Sequence, residues 1–205
     1  MPINKTHKLI YIHIPKTGGT YIEYLFDMRK DKTLFSSGDK LLGRTKQHYP
    51  YNLIVKEVKN IENYYIFTTV RNPYYRFLSA YSQYPDRCNK KFKVMINKRT
   101  PLEFSKFLYE KIKEEAYDFF SQGSFHQFEP MVRYLNGIDN IKIIKLEENF
   151  NEEIILLCKK YNINVDLKLK NVNRNNNYDI LLNNELKDII YEIYKEDFIK
   201  FNYKK

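Results

Sequence analysis

The stretch Leu9–Thr20, LIYIHIPKTGGT, decides the fold of this 205-residue chain. It opens with Leu9–Ile14, a short apolar run interrupted only by a histidine, which predicts a buried parallel strand. The segment Pro15–Gly19 predicts a loop because it combines a proline with two adjacent glycines. A helical pattern follows over residues 20–30. A strand, a glycine-rich turn and a helix in succession indicate an α/β fold.

The rest of the chain continues this alternation of strands and helices. Further strands are predicted over 64–70 and 141–146. Further helices are predicted after Pro73, from Pro101, and over 124–135, 149–161 and 184–200. Loops are predicted over 31–52, 85–99 and 166–179, after a short, floppy polar start over 1–8. We therefore expect a single domain over 1–205, an α/β fold with a parallel sheet flanked by helices on both faces.

The loop PKTGGT has the composition of an anion-binding turn. A glycine-rich turn between a strand and a helix N-terminus presents backbone N–H groups to an anion. Lys16 adds a positive charge, and Thr17 and Thr20 add hydroxyl groups. The loop is not a Walker A sequence, because its lysine precedes the glycines instead of following them. The alternative is a tight turn with an exposed lysine.

A second motif, Val70 to Tyr81, follows the second predicted strand. Arg71 stands at the carboxyl end of that strand, which is the edge where open α/β sheets bind ligands. Ser79 lies eight residues further on, two turns into the predicted helix. An arginine and a serine so placed predict a clamp for a second phosphate, although alone they fit a surface ion pair and an ordinary helix serine.

Charge and composition limit the functional classes. The net charge is +10, and residues 1–100 hold 19 Lys and Arg against 7 Asp and Glu, whereas residues 101–205 hold 16 against 18. A basic half predicts an anionic partner, either nucleic acid, membrane lipid or a phosphate- or sulfate-bearing ligand. The 43% hydrophobic content argues against disorder. Two cysteines, Cys88 and Cys158, are too few for a disulfide framework or a cysteine zinc site, so we expect reduced structural thiols.

Together, the two motifs resemble a known enzyme family. H-x-P-K-T-G-G-T from His13 and V-R-N-P-x-x-R-x-x-S-x-Y from Val70 are similar to sulfotransferases that use 3′-phosphoadenosine 5′-phosphosulfate (PAPS). The branch they most resemble includes the heparan sulfate and galactose/galactosamine enzymes. The likeness extends over most of the chain, through 125–135, 144–147, 173–174 and 194–203. Asn72 stands where the family often has Asp, and Asn202 replaces a family glycine, which are minor departures.

The resemblance implies a P-loop-NTPase-like fold and a donor site. The first loop would bind the 5′-phosphosulfate of PAPS, and Arg71 and Ser79 would bind the 3′-phosphate. Arg174, in the late loop, would approach the same nucleotide. The first-loop residues implied to contact the nucleotide are Pro15, Lys16, Thr17, Gly18, Gly19, Thr20 and Tyr21. The product would be adenosine 3′,5′-bisphosphate, and the family requires no metal.

The chemistry needs a charge stabiliser and a base. Lys16 is placed to stabilise the leaving phosphate oxygen, because such transfers rely on positioning and charge stabilisation. Related carbohydrate sulfotransferases carry a catalytic histidine between the two motifs, where this chain has His48. His126 is the second candidate base or a substrate-binding residue. His7 falls in the polar start, and His13, inside the first strand, is predicted to be packed.

The leading hypothesis is sulfuryl transfer to a carbohydrate hydroxyl, with an anionic glycan among the acceptors. The alternatives are a non-carbohydrate acceptor such as protein tyrosine, a small-molecule kinase with a variant P-loop, and a non-enzymatic nucleic-acid binder. The last lacks a recognisable nucleic-acid motif, so no nucleic-acid partner is expected. No run is long enough for a signal peptide or membrane helix, so the chain as written is expected to be cytoplasmic. A Golgi location would require that an anchor had been removed.

Overall fold

Among the residues that the structure describes, four strands form one sheet in the order in which they occur along the chain. They are β1 (Ile3–Asn4), β2 (Leu9–Ile12), β3 (Tyr65–Val70) and β4 (Lys142–Lys145). In this computed structural model β2, β3 and β4 are parallel, and β1 pairs antiparallel with β2. The register places Ile10 opposite Ile66 and Thr68 opposite Ile143. The predicted parallel sheet is therefore confirmed, with one short antiparallel strand added at its edge.

The structure describes residues 1–30, 45–87, 99–115, 119–120, 125–164 and 178–205, apart from the side chains of residues 30 and 84–87. The helices are α1 (Gly19–Leu25), α2 (Tyr51–Glu57), α3 (Pro73–Arg87), α4 (Pro101–Glu115), α5 (Phe150–Lys160) and α6 (Asn184–Lys200). Short 3₁₀ helices occupy Met28–Lys30, Lys46–His48, Ile61–Asn63, Phe125–Phe128, Met131–Leu135 and Tyr178–Leu181.

Helices cover both faces of the sheet. Leu9 and Tyr11 of β2 pack toward α1 and α5 in one buried cluster. Ile10 and Ile12 pack on the opposite side against α2 and the 3₁₀ helix Met131–Leu135. Because side chains alternate along a strand, one apolar run supplies both cores. This arrangement confirms the predicted layered α/β architecture.

A third cluster is built from helices and aromatic rings. It joins α3, α4 and α6 and includes Phe77, Phe104 and Phe128, whose ring centroids lie 4.9–6.2 Å apart. Aromatic pairs at such separations add to the stabilisation gained from burial. The cluster fixes α3, and with it the second motif, relative to the rest of the domain.

Several sequence-based boundaries differ from the structure. The described part of the segment predicted as one helix over 124–135 forms two 3₁₀ helices, because Pro130 between them has no backbone N–H and non-helical backbone angles. Helix α2 begins at Tyr51, near the end of the segment 31–52 that was predicted as a loop. It continues to Glu57, through residues for which no element was predicted. The start of the chain is not a floppy segment, since β1 pairs with β2 and the side chain of Met1 is buried. The predicted irregular segment over 85–99 begins inside α3, which extends to Arg87.

Two further expectations concern thiols and membranes. Cys158 is a free, buried thiol on α5, as predicted, and burial raises its pKa. Cys88 lies outside the described residues. In the part of the chain that the structure describes, none of the helices has the length and apolar character needed to cross a bilayer.

Candidate active site

The loop between β2 and α1 is shaped by two left-handed backbone positions. Gly18 has a φ of +81° and Lys16 a φ of +70°. The left-handed region costs a non-glycine residue roughly 1–2 kcal/mol, so the surrounding structure must hold Lys16 there. α1 begins at Gly19, and the first N–H groups of a helix have no acceptor in a preceding turn, although the Tyr21 N–H here donates to the Gly18 carbonyl oxygen at 3.0 Å. The loop thus has the local geometry of an anion-binding turn.

Gly19 is required by a close contact with His13. A Cβ atom at this position would lie 2.2 Å from Cδ2 and 2.3 Å from Nε2 of the imidazole. The His13 ring therefore occupies the space that any other residue's side chain would need. The imidazole lies directly against the main chain of the loop, which couples the position of His13 to the loop conformation.

The second motif is bonded to this loop. The Nε of Arg76, a fully buried residue of α3, donates to the carbonyl oxygen of Pro15 at 3.1 Å. The Nζ of Lys16 donates to Oε1 of Gln83, one turn beyond Ser79 on the same helix. The two motifs predicted from separate parts of the sequence therefore meet at the carboxyl edge of the parallel strands, as expected for a ligand site in an open α/β sheet.

Arg71 lies at the end of β3 beside the end of β4. Its guanidinium is 6.0 Å from the ring centre of Tyr178. Burial lowers the pKa of Arg71, although the neighbouring Glu147 carboxylate acts in the opposite direction. Glu147 accepts hydrogen bonds from the Asn72 N–H at 2.8 Å and the Tyr203 hydroxyl at 3.0 Å. A half-buried cation held among polar groups is suited to binding a phosphate.

Ser79 is buried on α3, two turns after Arg71. Its hydroxyl has no hydrogen-bonding partner among the described residues, whereas its carbonyl oxygen accepts from Ser82 at 3.2 Å. The neighbouring Ser82 hydroxyl lies 3.4 Å from the Tyr178 hydroxyl. The side of α3 that carries Ser79 therefore adjoins the same tyrosine that contacts Arg71.

Three of the four histidines lie together. The ring of His48 is 4.5 Å from that of His13 and 5.5 Å from that of His126, centre to centre. Nδ1 of His48 lies 3.1 Å from the carbonyl oxygen of His13. Both predicted base candidates are thus in one group, which adjoins the loop through the contact of His13 with Gly19. His7 lies elsewhere, in the turn of the β1–β2 hairpin, where its N–H donates to Asn4.

Thr17 of the loop and Tyr21 of α1 direct their side chains toward the protein. The Thr17 hydroxyl is buried and donates to the carbonyl oxygen of Ile14 at 2.8 Å, so it is not directed at a ligand. The Thr17 carbonyl oxygen accepts from Thr69 at 2.8 Å. The Tyr21 ring packs toward Phe150 of α5, with a centroid separation of 6.4 Å. Thr20, in contrast, is exposed.

The structure adds a residue that the sequence analysis did not select. Glu23 is fully buried on α1 and accepts hydrogen bonds from His13 Nδ1 at 2.6 Å and Arg29 Nη1 at 2.8 Å. The Gln47 amide also donates to it, at 2.8 and 2.9 Å. A signal was present in the sequence, since Glu23 stands four residues after Gly19 and so on the same helix face. Its partners could not be inferred from the spacing.

Burial by itself raises the pKa of Glu23. Hydrogen bonds from His13 and Gln47 and the positive charge of Arg29 outweigh that effect and hold the pKa of the carboxyl below its ordinary value. Glu23 is therefore a buried, ionised carboxylate with three donors around it.

Several predicted features fall outside the described residues. They are Arg174 and most of the loops predicted over 31–52, 85–99 and 166–179. Within the ranges the structure describes, no group of three or more His, Cys, Asp or Glu residues is placed to bind a metal ion.

The sequence comparisons define the class. The sulfotransferase family profile matches residues 1–204, so the chain belongs to the sulfotransferase family. This agrees with the layered α/β fold and with the two motifs joined at one edge of the sheet.

Among curated proteins, the chain is similar to carbohydrate sulfotransferase 11 of Rattus norvegicus and of Mus musculus. Each is 24% identical over 243 residues, covering 98% of this chain and 66% of the relative. The chain thus spans slightly less than two thirds of the length of these relatives. No solved structure matches.

Proposed function

We propose that this chain is a single sulfotransferase domain that moves the sulfuryl group of PAPS to a hydroxyl of a carbohydrate acceptor. The observation that carries the proposal is the bonding of the two motifs, in which Arg76 donates to the carbonyl oxygen of Pro15. The family membership supports sulfuryl transfer, and the relatives' name supports a carbohydrate acceptor.

In this proposal the nucleotide is held at both ends. The segment Pro15–Tyr21 would hold the 5′-phosphosulfate through main-chain N–H groups, in a loop whose path depends on the left-handed Gly18. Arg71 and Ser79 would hold the 3′-phosphate, and Arg174 would approach it from the late loop. PAPS supplies the sulfuryl group, and following the family resemblance we invoke no metal.

Two residues of the chain would stabilise the charge of the leaving group and accept the proton of the acceptor hydroxyl. The Lys16 ammonium would stabilise the negative charge that develops on the leaving phosphate oxygen. His48 would accept the proton of the acceptor hydroxyl as that oxygen bonds to sulfur. The bond between sulfur and the phosphate oxygen breaks, and the products are the sulfated acceptor and adenosine 3′,5′-bisphosphate.

Binding of adenosine 3′,5′-bisphosphate tests the donor site. A ligand at 100 times its Kd stabilises the folded state by about 2.7 kcal/mol, so the thermal unfolding midpoint should rise by several degrees. Arg71→Ala removes a charged donor to phosphate worth about 1.5–3 kcal/mol, so its affinity should fall roughly 10–100-fold. Lys106→Ala is the control, because it removes a positive charge from α4 that is paired with Glu185 at 2.6 Å.

The outcomes separate the alternatives. No stabilisation of the wild type by adenosine 3′,5′-bisphosphate would refute the PAPS assignment. Stabilisation by ATP only in the presence of magnesium would favour the kinase alternative. Equal weakening in Arg71→Ala and Lys106→Ala would mean that net charge, not the Arg71 site, determines binding.

Transfer assays over a glycan panel and tyrosine peptides test the acceptor and the base. Loss of a general base costs typically 10²–10⁴-fold in rate, so His48→Ala should reduce turnover by that order while nucleotide binding persists. His126→Ala is the comparison variant, because its ring lies 5.5 Å from His48. Full turnover in His48→Ala with loss in His126→Ala would transfer the role of base to His126.

A further inference from the structure

The Glu23 carboxylate is the centre of a buried polar network. Its two oxygens receive hydrogen bonds from His13, Arg29 and Gln47, which come from the end of β2, the segment after α1 and the 3₁₀ helix Lys46–His48. A buried carboxylate is costly unless it is paired and hydrogen-bonded. Satisfying it from three separate segments therefore fixes those segments relative to one another.

Two of the three residues that donate hydrogen bonds to Glu23 also connect it to His48, the candidate base. Gln47 immediately precedes His48 in the same 3₁₀ helix. The main-chain carbonyl oxygen of His13 lies 3.1 Å from Nδ1 of His48. Glu23 thus restrains His48 both through its chain neighbour and through its hydrogen-bond acceptor.

The contact with His13 also determines which nitrogen of His48 carries hydrogen. A carbonyl oxygen only accepts hydrogen bonds, so Nδ1 of a neutral His48 must be the protonated nitrogen. The lone pair is then on Nε2, the nitrogen that can take a proton from a hydroxyl. The same logic applies to His13, whose Nδ1 faces the acceptor-only Glu23 carboxylate.

We propose that Glu23 is a positioning residue that holds His48, through His13 and Gln47, in the orientation and Nδ1–H tautomer that make Nε2 the proton acceptor. The proposal rests on the proposed function, because it gives His48 the role of base. It extends that function by identifying a carboxylate that acts on the base without touching the acceptor or the nucleotide.

Tautomer measurement by ¹⁵N NMR on histidine-labelled protein tests this without turnover. Wild-type His48 should be in the Nδ1–H form at neutral pH. Glu23→Gln removes the charge and one acceptor oxygen, and should give a mixture of the two tautomers at His48. Gln47→Ala, which cuts only the link between Glu23 and the 3₁₀ helix, should also increase the Nε2–H form. Glu57→Gln is the control, because Glu57 pairs with Lys46 at the other end of that 3₁₀ helix and not with Glu23.

Activity provides a second readout. Removing a carboxylate that orients a metal-bound histidine typically lowers metal affinity or activity about 10–100-fold. By analogy, we expect kcat to fall by that order in Glu23→Gln and Gln47→Ala. The affinity for adenosine 3′,5′-bisphosphate should stay at the wild-type value, because the nucleotide residues are unchanged.

A wild-type His48 in the Nε2–H form, or a tautomer unchanged in both variants, would overturn the inference. If Glu23→Gln does not fold, Gln47→Ala decides the matter alone. Absence of adenosine 3′,5′-bisphosphate binding with the expected tautomer would refute the proposed function and leave the restraint on His48 established. Nucleotide binding with an unaffected tautomer would refute the restraint and leave the function intact.

Discussion

At the scale of single residues, the contact between Gly19 and His13 determines the conformation of the loop between β2 and α1. The imidazole stands where a Cβ atom would lie, and Glu23 holds the imidazole by its Nδ1 atom at 2.6 Å. Because the ring is hydrogen-bonded to Glu23 through Nδ1, it cannot move away from a methyl group added at Gly19 without breaking that buried hydrogen bond. The loop and the buried network therefore have to change together.

Gly19→Ala should consequently damage both stability and nucleotide binding. Overpacking a well-ordered site costs typically 1–3 kcal/mol, and breaking the bond to Glu23 adds to that cost. We expect a lower free energy of unfolding in urea and a loss of the thermal shift with adenosine 3′,5′-bisphosphate. Gly137→Ala is the control, because it adds the same methyl group at a glycine whose nearest contact is 3.8 Å away, so any loss of stability there comes from its left-handed backbone and not from a clash. A similar loss of nucleotide binding in the two variants would contradict this account.

The candidate site was only partly predictable at this scale. Residue type and position after a strand were enough to select Lys16 and Arg71 as candidates, whereas His48 was selected by the family resemblance. The prediction that His13 is packed is confirmed by its burial, but its bond to Glu23 was not foreseen. Such a pairing depends on how α1 folds back against the end of β2, which a linear pattern does not encode.

At the scale of elements, α6 is joined to the 3₁₀ helix Met131–Leu135 by one carboxylate. The buried side chain of Asp197 accepts hydrogen bonds from the N–H groups of Met131 and Val132, each at 2.9 Å. These are N–H groups of the first turn, which lack acceptors inside the helix. Burial raises the pKa of Asp197 to about 6, although the charge of Arg76 and the two N–H groups oppose the rise.

This pKa predicts a specific pH dependence. Because the folded-state value lies above the ordinary 3.8, the contribution to stability is complete below about pH 3.8 and is lost as the pH rises through about 6. The difference corresponds to at most roughly 3 kcal/mol. The free energy of unfolding of the wild type relative to Asp197→Asn should therefore be larger near pH 4.5 than at pH 7. Urea titrations at both pH values measure it.

Asp188→Asn is the control for this measurement. It changes an exposed aspartate of the same helix, paired with Lys205 at 3.0 Å. Its difference from the wild type should vary less between the two pH values. A wild-type advantage over Asp197→Asn that grows toward pH 7 would show that the Asp197 pKa is lowered by folding, contrary to the expectation.

Elements with a strong pattern were predicted well, and the irregular ones were not. The last helix was predicted over 184–200 and is found at Asn184–Lys200. In contrast, β1 has only two residues and exists because it pairs with β2. The two 3₁₀ helices at Phe125–Phe128 and Met131–Leu135 have too few residues to establish a period. Their conformation is fixed by tertiary bonds such as those to Asp197 and Arg76.

At the scale of the whole molecule, the excess positive charge lies in the half of the chain that carries both motifs. Residues 1–100 hold 19 basic and 7 acidic side chains, and the overall net charge is +10. Such a distribution attracts anionic ligands over distances longer than a hydrogen bond. The expectation of an anionic partner is consistent with membership of the sulfotransferase family.

Salt should therefore weaken nucleotide binding. The Debye length shrinks from about 10 Å at 0.1 M to about 3 Å at 1 M ionic strength, so distant charges stop contributing. The affinity for adenosine 3′,5′-bisphosphate, measured by calorimetry, should fall severalfold over this range. Uncharged adenosine is the matched control and should show little change. An affinity for the bisphosphate that is independent of salt would mean that only direct, desolvated contacts matter.

Within the described part of the chain, no further strand pairs with the outer side of β4, and this edge has a consequence for behaviour in concentrated solution. Strand β4 starts and ends with lysines, Lys142 and Lys145, which lie on opposite faces and pair with Glu153 at 2.7 Å and Glu148 at 2.9 Å. Edge strands invite strand-by-strand aggregation, and charged side chains on them discourage it. A second copy of the chain that added a strand here would have to accommodate these charged groups beside its own side chains. We therefore expect the two lysines to disfavour edge-to-edge association of sheets.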